Sequence, residues 1–147
     1  MAYGNLGLTL VQTGNLEKAI FPFAQYLKLS PEQTSTLFSM LSNNSSARWN
    51  GTADSKEIAG IFDQETDGGY IFNFEAGFIL SYSLWEAGYG EQAISRLSAL
   101  SDALKFSQKP SQSTHDFFEN MFQLMPESMK RDEKVQEIVA KIKAGMN

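Results

Sequence analysis

The string Gly14-x-x-Glu17-x-Ala19-Ile20 recurs 74 positions later as Gly88-x-x-Glu91-x-Ala93-Ile94, with the same Gly, Glu, Ala and Ile. Each copy joins two segments whose apolar residues recur at intervals of three and four, the period of an amphipathic helix. Before Gly14 these are Tyr3, Leu6, Gly7 and Leu10, and after it Ala19, Phe23, Tyr26 and Leu27. A unit of helix, glycine and helix that returns along a chain points to stacked hairpins, because one such unit cannot bury its apolar face alone.

The rest of the chain reads in the same period. Gly14 is placed to end the first helix and Asn15 to cap the second. Ser30-Pro31-Glu32-Gln33 has the composition of a capping box with proline at the first helical position, so a third helix is expected from Pro31, with Leu37, Phe38 and Leu41 inward. Its end is expected in the Asn- and Ser-rich stretch from Ser42 to Gly51, read as an exposed loop. The sequons at Asn43, Asn44 and Asn50 would be glycan acceptors only in a secreted eukaryotic protein. A fourth helix is expected over 54–64, followed by the turn at Asp67-Gly68-Gly69. A fifth over 70–87 is apolar on nearly every face, the profile of a central helix. A sixth should run to about Phe106. Thr114–Met125 and Asp132–Ala144 should close the domain as shorter helices. The count is about eight helices in antiparallel pairs.

Composition narrows the functional classes. The net charge is −5, and residues 54–91 hold eight acids against the single base Lys56. Nucleic-acid binding draws on basic side chains that neutralise phosphate, so an acidic centre speaks against such a partner. A neutral or basic protein or peptide with apolar anchors fits better. Without cysteine, disulfides, thiolate metal sites and cysteine nucleophiles are all excluded. The longest apolar stretch, Tyr70–Trp85, is broken by Asn73, Glu75 and serines and is not a membrane span. No basic flank and apolar run near Met1 mark a secretion signal. Since Met1 falls almost inside the first helix, the chain is expected to be part of a longer protein.

The residues Ala2-Tyr3-Gly4-Asn5-Leu6-Gly7-Leu8-Thr9-Leu10, then Gly14-Asn15-Leu16-Glu17-Lys18-Ala19-Ile20, Phe23, Leu27, Leu29 and Pro31, together resemble one full tetratricopeptide repeat. In the second copy Leu80, Ser81 and Leu84 take the places of Leu6, Gly7 and Leu10, while Ala93, Leu97 and Leu100 follow the second helix. Residues 32–69 fit by helix number, and the 74-residue spacing is near twice the family's period of roughly 34. The resemblance implies an all-α fold of antiparallel hairpins stacked as a right-handed superhelix. The small residues Gly7, Ala19, Ser81 and Ala93 would let paired helices approach. Pro22, which cannot donate to the carbonyl of Lys18, is expected to kink the second helix.

The resemblance further implies a concave groove lined by the first helix of each hairpin. Its positions would be Gly4, Leu8, Val11 and Gln12 in the first repeat, and Glu75, Phe78, Tyr82, Trp85 and Glu86 in the second. The cations with which some members clamp a carboxylate are missing there, so that ligand class does not fit. Phe78, Tyr82 and Trp85 fall at i, i+4 and i+7, on one face. Such a stripe either grips a partner's apolar side chain or packs within the core.

A protein- or peptide-binding adaptor or sensor, the tetratricopeptide part of a larger bacterial regulatory protein, is the expected function, with no enzymatic activity, cofactor or metal. The alternative is self-association as a homodimer through Phe21, Phe23 and Tyr26. A hydrolase using the central acids is a third reading, although no spacing singles out an acid and base pair. The acidic turn 63–69 looks like a calcium loop, but Phe74 stands where such a loop needs a bidentate glutamate, and a solvated turn is expected instead. His115, beside Ser111 and Ser113, reads as a helix-start residue rather than a catalytic base.

Overall fold

A computed structural model describes residues 2–45, 74–104 and 109–147. The protein is all-helical. Its helices are α1 (Ala2–Gln12), α2 (Leu16–Leu29), a 3-10 turn at Pro31–Gln33, α3 (Thr34–Ser45), α4 (Phe74–Glu86), α5 (Gly90–Ala103), α6 (Gln112–Gln123), the single turn α7 (Glu127–Lys130) and α8 (Glu133–Met146). Among the described residues these are eight α-helices. The short α7 was not foreseen, and the expected helix over 54–64 and the acidic turn 63–69 lie outside the described residues.

The two glycine strings form the same turn. Gly14 and Gly88 have φ of +89° and +94°, the left-handed conformation that glycine adopts without steric penalty. The N–H of Gly14 bonds Val11 O at 3.1 Å, and that of Gly88 bonds Trp85 O at 3.0 Å. The next residues reach back five positions, Asn15 N–H to Leu10 O at 2.8 Å and Tyr89 N–H to Leu84 O at 2.9 Å. This is the Schellman closure of a helix C-terminus, which satisfies carbonyls that would otherwise lack donors. It occurs twice, 74 residues apart, on equivalent atoms.

Small residues bring the paired helices together, as expected. A Cβ placed on Gly7 would lie 2.6 Å from Cδ1 and Cζ of the Phe23 ring, and one on Gly77 would lie 2.8 Å from Leu100 Cδ2. In the second hairpin the Ser81 hydroxyl donates to Ala93 O at 2.8 Å, which removes the cost of burying it between α4 and α5. Ala19 and Ala93, and likewise Phe23 and Leu97, are fully buried at equivalent positions.

The hairpins α1–α2 and α4–α5 pack through α2 against α4, and α3 lies against both α1 and α4. Helices α1, α2, α4 and α3 therefore close a ring around a shared core, and α8 covers α5. The core runs from Val11, Phe23 and Leu27 through Leu37, Phe78, Leu80 and Tyr82 to Phe118, Met121 and Val135.

Local details depart from expectation where backbone groups find nearer partners. Asn15 makes no side-chain cap; its Nδ2 donates to Thr13 Oγ1 at 3.0 Å. Ser30 does not cap either, and Pro31–Gln33 form a 3-10 turn ahead of α3. The helix α3 continues to Ser45 through Asn43 and Asn44, so those sequons do not sit in a loop. Pro22 is buried within an α2 that runs from Leu16 to Leu29 without interruption. Two side-chain caps form farther on: Ser111 Oγ accepts from Thr114 N–H at 3.4 Å, and Asp132 Oδ1 accepts from Val135 N–H at 3.1 Å.

Candidate functional site

Helix α4 carries apolar side chains around most of its circumference, and helix α6 brings Phe117, Phe118, Met121 and Phe122 at core spacing. When two such faces meet, their aromatic rings interlock and the seam excludes water. Phe78 meets Phe118 edge-on at 6.2 Å between ring centroids, meets Phe122 edge-on at 5.9 Å, and lies tilted to Tyr82 at 6.1 Å. The Tyr82 hydroxyl donates to Met121 O at 2.7 Å. Burial pushes the Tyr82 phenol far above its ordinary value of 10.0, because the ionised form would lose its hydration.

The aromatic stripe is thus core, not an open groove, at two of its three positions. Phe78 and Tyr82 have no exposed surface. Trp85 is half-buried, and its Nε1–H donates to Ser128 Oγ at 2.9 Å. In the first hairpin Val11 is fully buried, Leu8 is half-buried and Gln12 faces solvent. The self-association set divides in the same way: Phe23 and Tyr26 are buried under Gly7 and Gly4, whereas Phe21 is 66% exposed. Each set divides between buried and exposed residues because helical spacing marks one face without saying whether another helix covers it.

The structure assembles a different concavity beside that seam. A hollow of about 550 Å³ lies between the α1–α2 turn and α6, lined among others by Leu16, Glu17, Lys18, Glu75, Asn120 and Leu124. A smaller one of about 250 Å³ adjoins it, sharing Glu17, Gln123 and Leu124 and adding Phe21, Glu86, Met125 and Glu127. Together they form one cleft between α2 and the α6–α7 connection, with α4 supplying Glu75 from its first turn and Glu86 from its last residue. Of the predicted residues, Glu75 lines the larger hollow, while Glu86 and Phe21 line the smaller. The lining from Gln123 to Glu127 was missed. Its signal was weak, since Pro126 marks only a break after α6 and nothing local ties that break to α2.

Among the described residues the cleft is lined by Glu17, Glu75, Glu86 and Glu127 and by Lys18, with Glu127 already paired to Lys130 at 3.1 Å. Glu75 is 2% exposed and lies in the first turn of α4, where the positive end of the helix dipole favours an anion. Phe21, Leu124, Met125 and Pro126 give the same cleft an apolar side. Such an arrangement attracts a cationic group and offers an apolar side chain somewhere to rest. Among the described residues no three histidine or acidic side chains converge as a metal-binding set. His115 sits in the first turn of α6, its N–H bonded to Ser111 O at 3.1 Å, as expected for a helix-start residue.

A third hollow, about 390 Å³, lies between α6 and α8 over Phe122, Met125, Val135 and Val139. Its cations already have partners. Lys130 Nζ donates to Gln123 O at 3.2 Å and pairs with Glu127 at 3.1 Å, while Lys143 lies 3.8 Å from Glu119 and over the Phe122 ring.

Among the described residues no helix is long and apolar enough to cross a membrane. The chain matches no family model, no curated protein sequence and no solved structure.

Proposed function

We propose that this chain is a protein-binding module of the tetratricopeptide type, acting as an adaptor or sensor and holding a basic peptide segment with an apolar anchor. The observation that carries this reading is the cleft between α2 and α6–α7, where Glu17, Glu86 and Glu127 line the same hollow as the exposed ring of Phe21 and Glu75 lines the hollow adjoining it. Lysine or arginine side chains of the partner meet the carboxylates, which speeds encounter and selects charge. One apolar side chain packs on Phe21 and Leu124, since aromatic groups are common anchors at interfaces. The duplicated glycine turn supports the hairpin-repeat part of the reading. The recognition surface then lies beside α4, on the flank left open after α6 has covered the aromatic seam.

The test uses a fluorescein-labelled probe peptide of alternating lysine and leucine, with a glutamate-for-lysine peptide as control, followed by fluorescence polarisation. The basic probe binds, the acidic one does not, and added salt weakens binding because the contact is charge-steered. Phe21→Ala and Glu86→Gln each weaken binding, while both variants keep the wild-type melting temperature. Equal binding of the two probes, or unchanged affinity in both variants, refutes the proposal.

A further inference from the structure

At the offset of 74 every residue of α1 has a counterpart in α4, and one flank of the two helices is treated in opposite ways. Leu80 and Leu84 are 0% and 1% exposed; their counterparts are Leu6, which is 50% exposed, and Leu10, which is only half-buried. Tyr3, one turn before Leu6, is 41% exposed. Tyr3, Leu6 and Leu10 stand at i, i+3 and i+7, so they form one apolar stripe along α1, beside the face that meets α2. The register that is core in the second hairpin is left uncovered in the first.

The stripe's own helix and the helix α3 beside it carry no Asp, Glu, Lys, Arg or His. The first acidic or basic side chain is Glu17, and α3, which packs on α1, has none from Thr34 to Ser45. The net charge of −5 is carried elsewhere. Depletion of charge around exposed aromatic and leucine side chains is the composition of an interface centre rather than of a solvated helix.

We propose that the α1 stripe pairs with the same stripe of a second copy of this chain, antiparallel across a two-fold axis beside Leu6. The charge distribution selects this occupant. In a two-fold contact each group meets the same patch of its copy, so a charged patch would repel itself, and an acidic chain approaches its copy most favourably through a neutral face. The stripe is also nearly symmetric about Leu6: Tyr3 and Leu10 lie on either side, about 10 Å apart along the helix. Antiparallel pairing sets Tyr3 of each copy against Leu10 of the other and the two Leu6 side chains together. No residue of α1 lines the acidic cleft, so both clefts stay open in the dimer. One short helix per copy gives a contact at the small end of specific interfaces, and the dimer is therefore weak and concentration-dependent.

Sedimentation equilibrium over a dilution series up to millimolar protein tests this. The wild-type mass rises from that of the 16.4 kDa monomer toward twice that value. Leu6→Glu puts two like charges together at the axis and weakens association about tenfold or more. Phe21→Glu, at an apolar position still more exposed than Leu6, leaves association unchanged and serves as the control. Because the chain has no cysteine, Leu6→Cys oxidised with diamide gives a disulfide-linked dimer, whereas Leu29→Cys does not; this arm decides the matter if Leu6→Glu fails to fold. A wild-type chain that stays monomeric throughout overturns the proposal. So does a folded Leu6→Glu that associates like the wild type, or loss of association in Phe21→Glu instead, which would place the contact at the cleft. Peptide binding is read separately, and its failure would leave this result standing.

Discussion

Replacing Tyr82 distinguishes an aromatic core from an aromatic binding surface, and the two readings predict opposite results. Tyr82 has no exposed surface, packs against Phe78 and donates a 2.7 Å hydrogen bond to Met121 O. Tyr82→Ala removes the ring and leaves a cavity between α4 and α6; buried aromatic truncations of this kind cost about 3–5 kcal/mol. For a domain of this size each kcal/mol lowers the melting temperature by roughly 2–4 °C, so a fall of about 6–20 °C is expected. Tyr82→Phe keeps the ring and removes only the hydroxyl. Met121 O still accepts from Leu124 N–H at 3.2 Å, so the carbonyl keeps a donor. The cost is then about 1 kcal/mol, that of one neutral hydrogen bond. Urea denaturation of both variants followed by circular dichroism at neutral pH measures the two differences.

Alkaline pH adds a second, independent readout of the same burial. In the unfolded chain Tyr82 ionises above its ordinary value of 10.0, while in the fold it stays protonated far beyond that. Above that pH the unfolded state holds fewer protons than the folded state, so stability present below pH 10 is lost as pH rises, by about 1.4 kcal/mol per unit. Tyr82→Phe lacks this loss. The small advantage of the wild type at neutral pH should therefore shrink, and reverse near pH 11. If Tyr82→Ala unfolds within about 1 kcal/mol of the wild type, or if the two chains keep the same difference at pH 7 and 11, the packing of α6 on α4 described above is wrong.

Other substitutions probe the turns, caps and close contacts. Gly7→Ala drives a methyl into the buried Phe23 ring, and overpacking of this kind typically costs about 1–3 kcal/mol before any gain in helix propensity is counted; a melting temperature at or above the wild type would contradict the close approach of α1 and α2. Gly88→Ala meets no neighbouring atom within 4 Å, so its expected loss of about 1–2 kcal/mol reports the left-handed backbone alone. Asp132→Ala removes the cap on Val135 N–H and should lower stability by about 1 kcal/mol in thermal unfolding at pH 7.

Much of the helical layout is legible along the chain because it is set by near neighbours. Glycines at 14 and 88 end helices since a positive φ is accessible to them, and periods of three and four mark which positions share a face. The same locality explains the errors of detail. Asn15 and Ser30 have the composition of caps, but the Asn15 amide is turned to Thr13 Oγ1 and the Gln33 N–H bonds the Ser30 carbonyl instead of its hydroxyl, choices that composition does not encode.

The site was legible only in part. Glu75, Glu86 and Phe21 could be picked out as acids or as an apolar residue on an outer face, but for different reasons and in separate candidate sites. Gln123 to Glu127 completes the cleft, and its approach to α2 is a contact across about a hundred residues that no local period encodes.

The sequence by itself determined that the chain is helical, where its two matching hairpins turn, and that small residues stand where helices meet. Propensity, glycine conformation and spacing decide these within a few residues. Tertiary structure alone decided that Phe78 and Tyr82 face α6, that Leu80 is covered while Leu6 is open, and that four acids share one cleft. An apolar stripe is the same along the chain whether or not another helix lies on it, and only packing removes water from it.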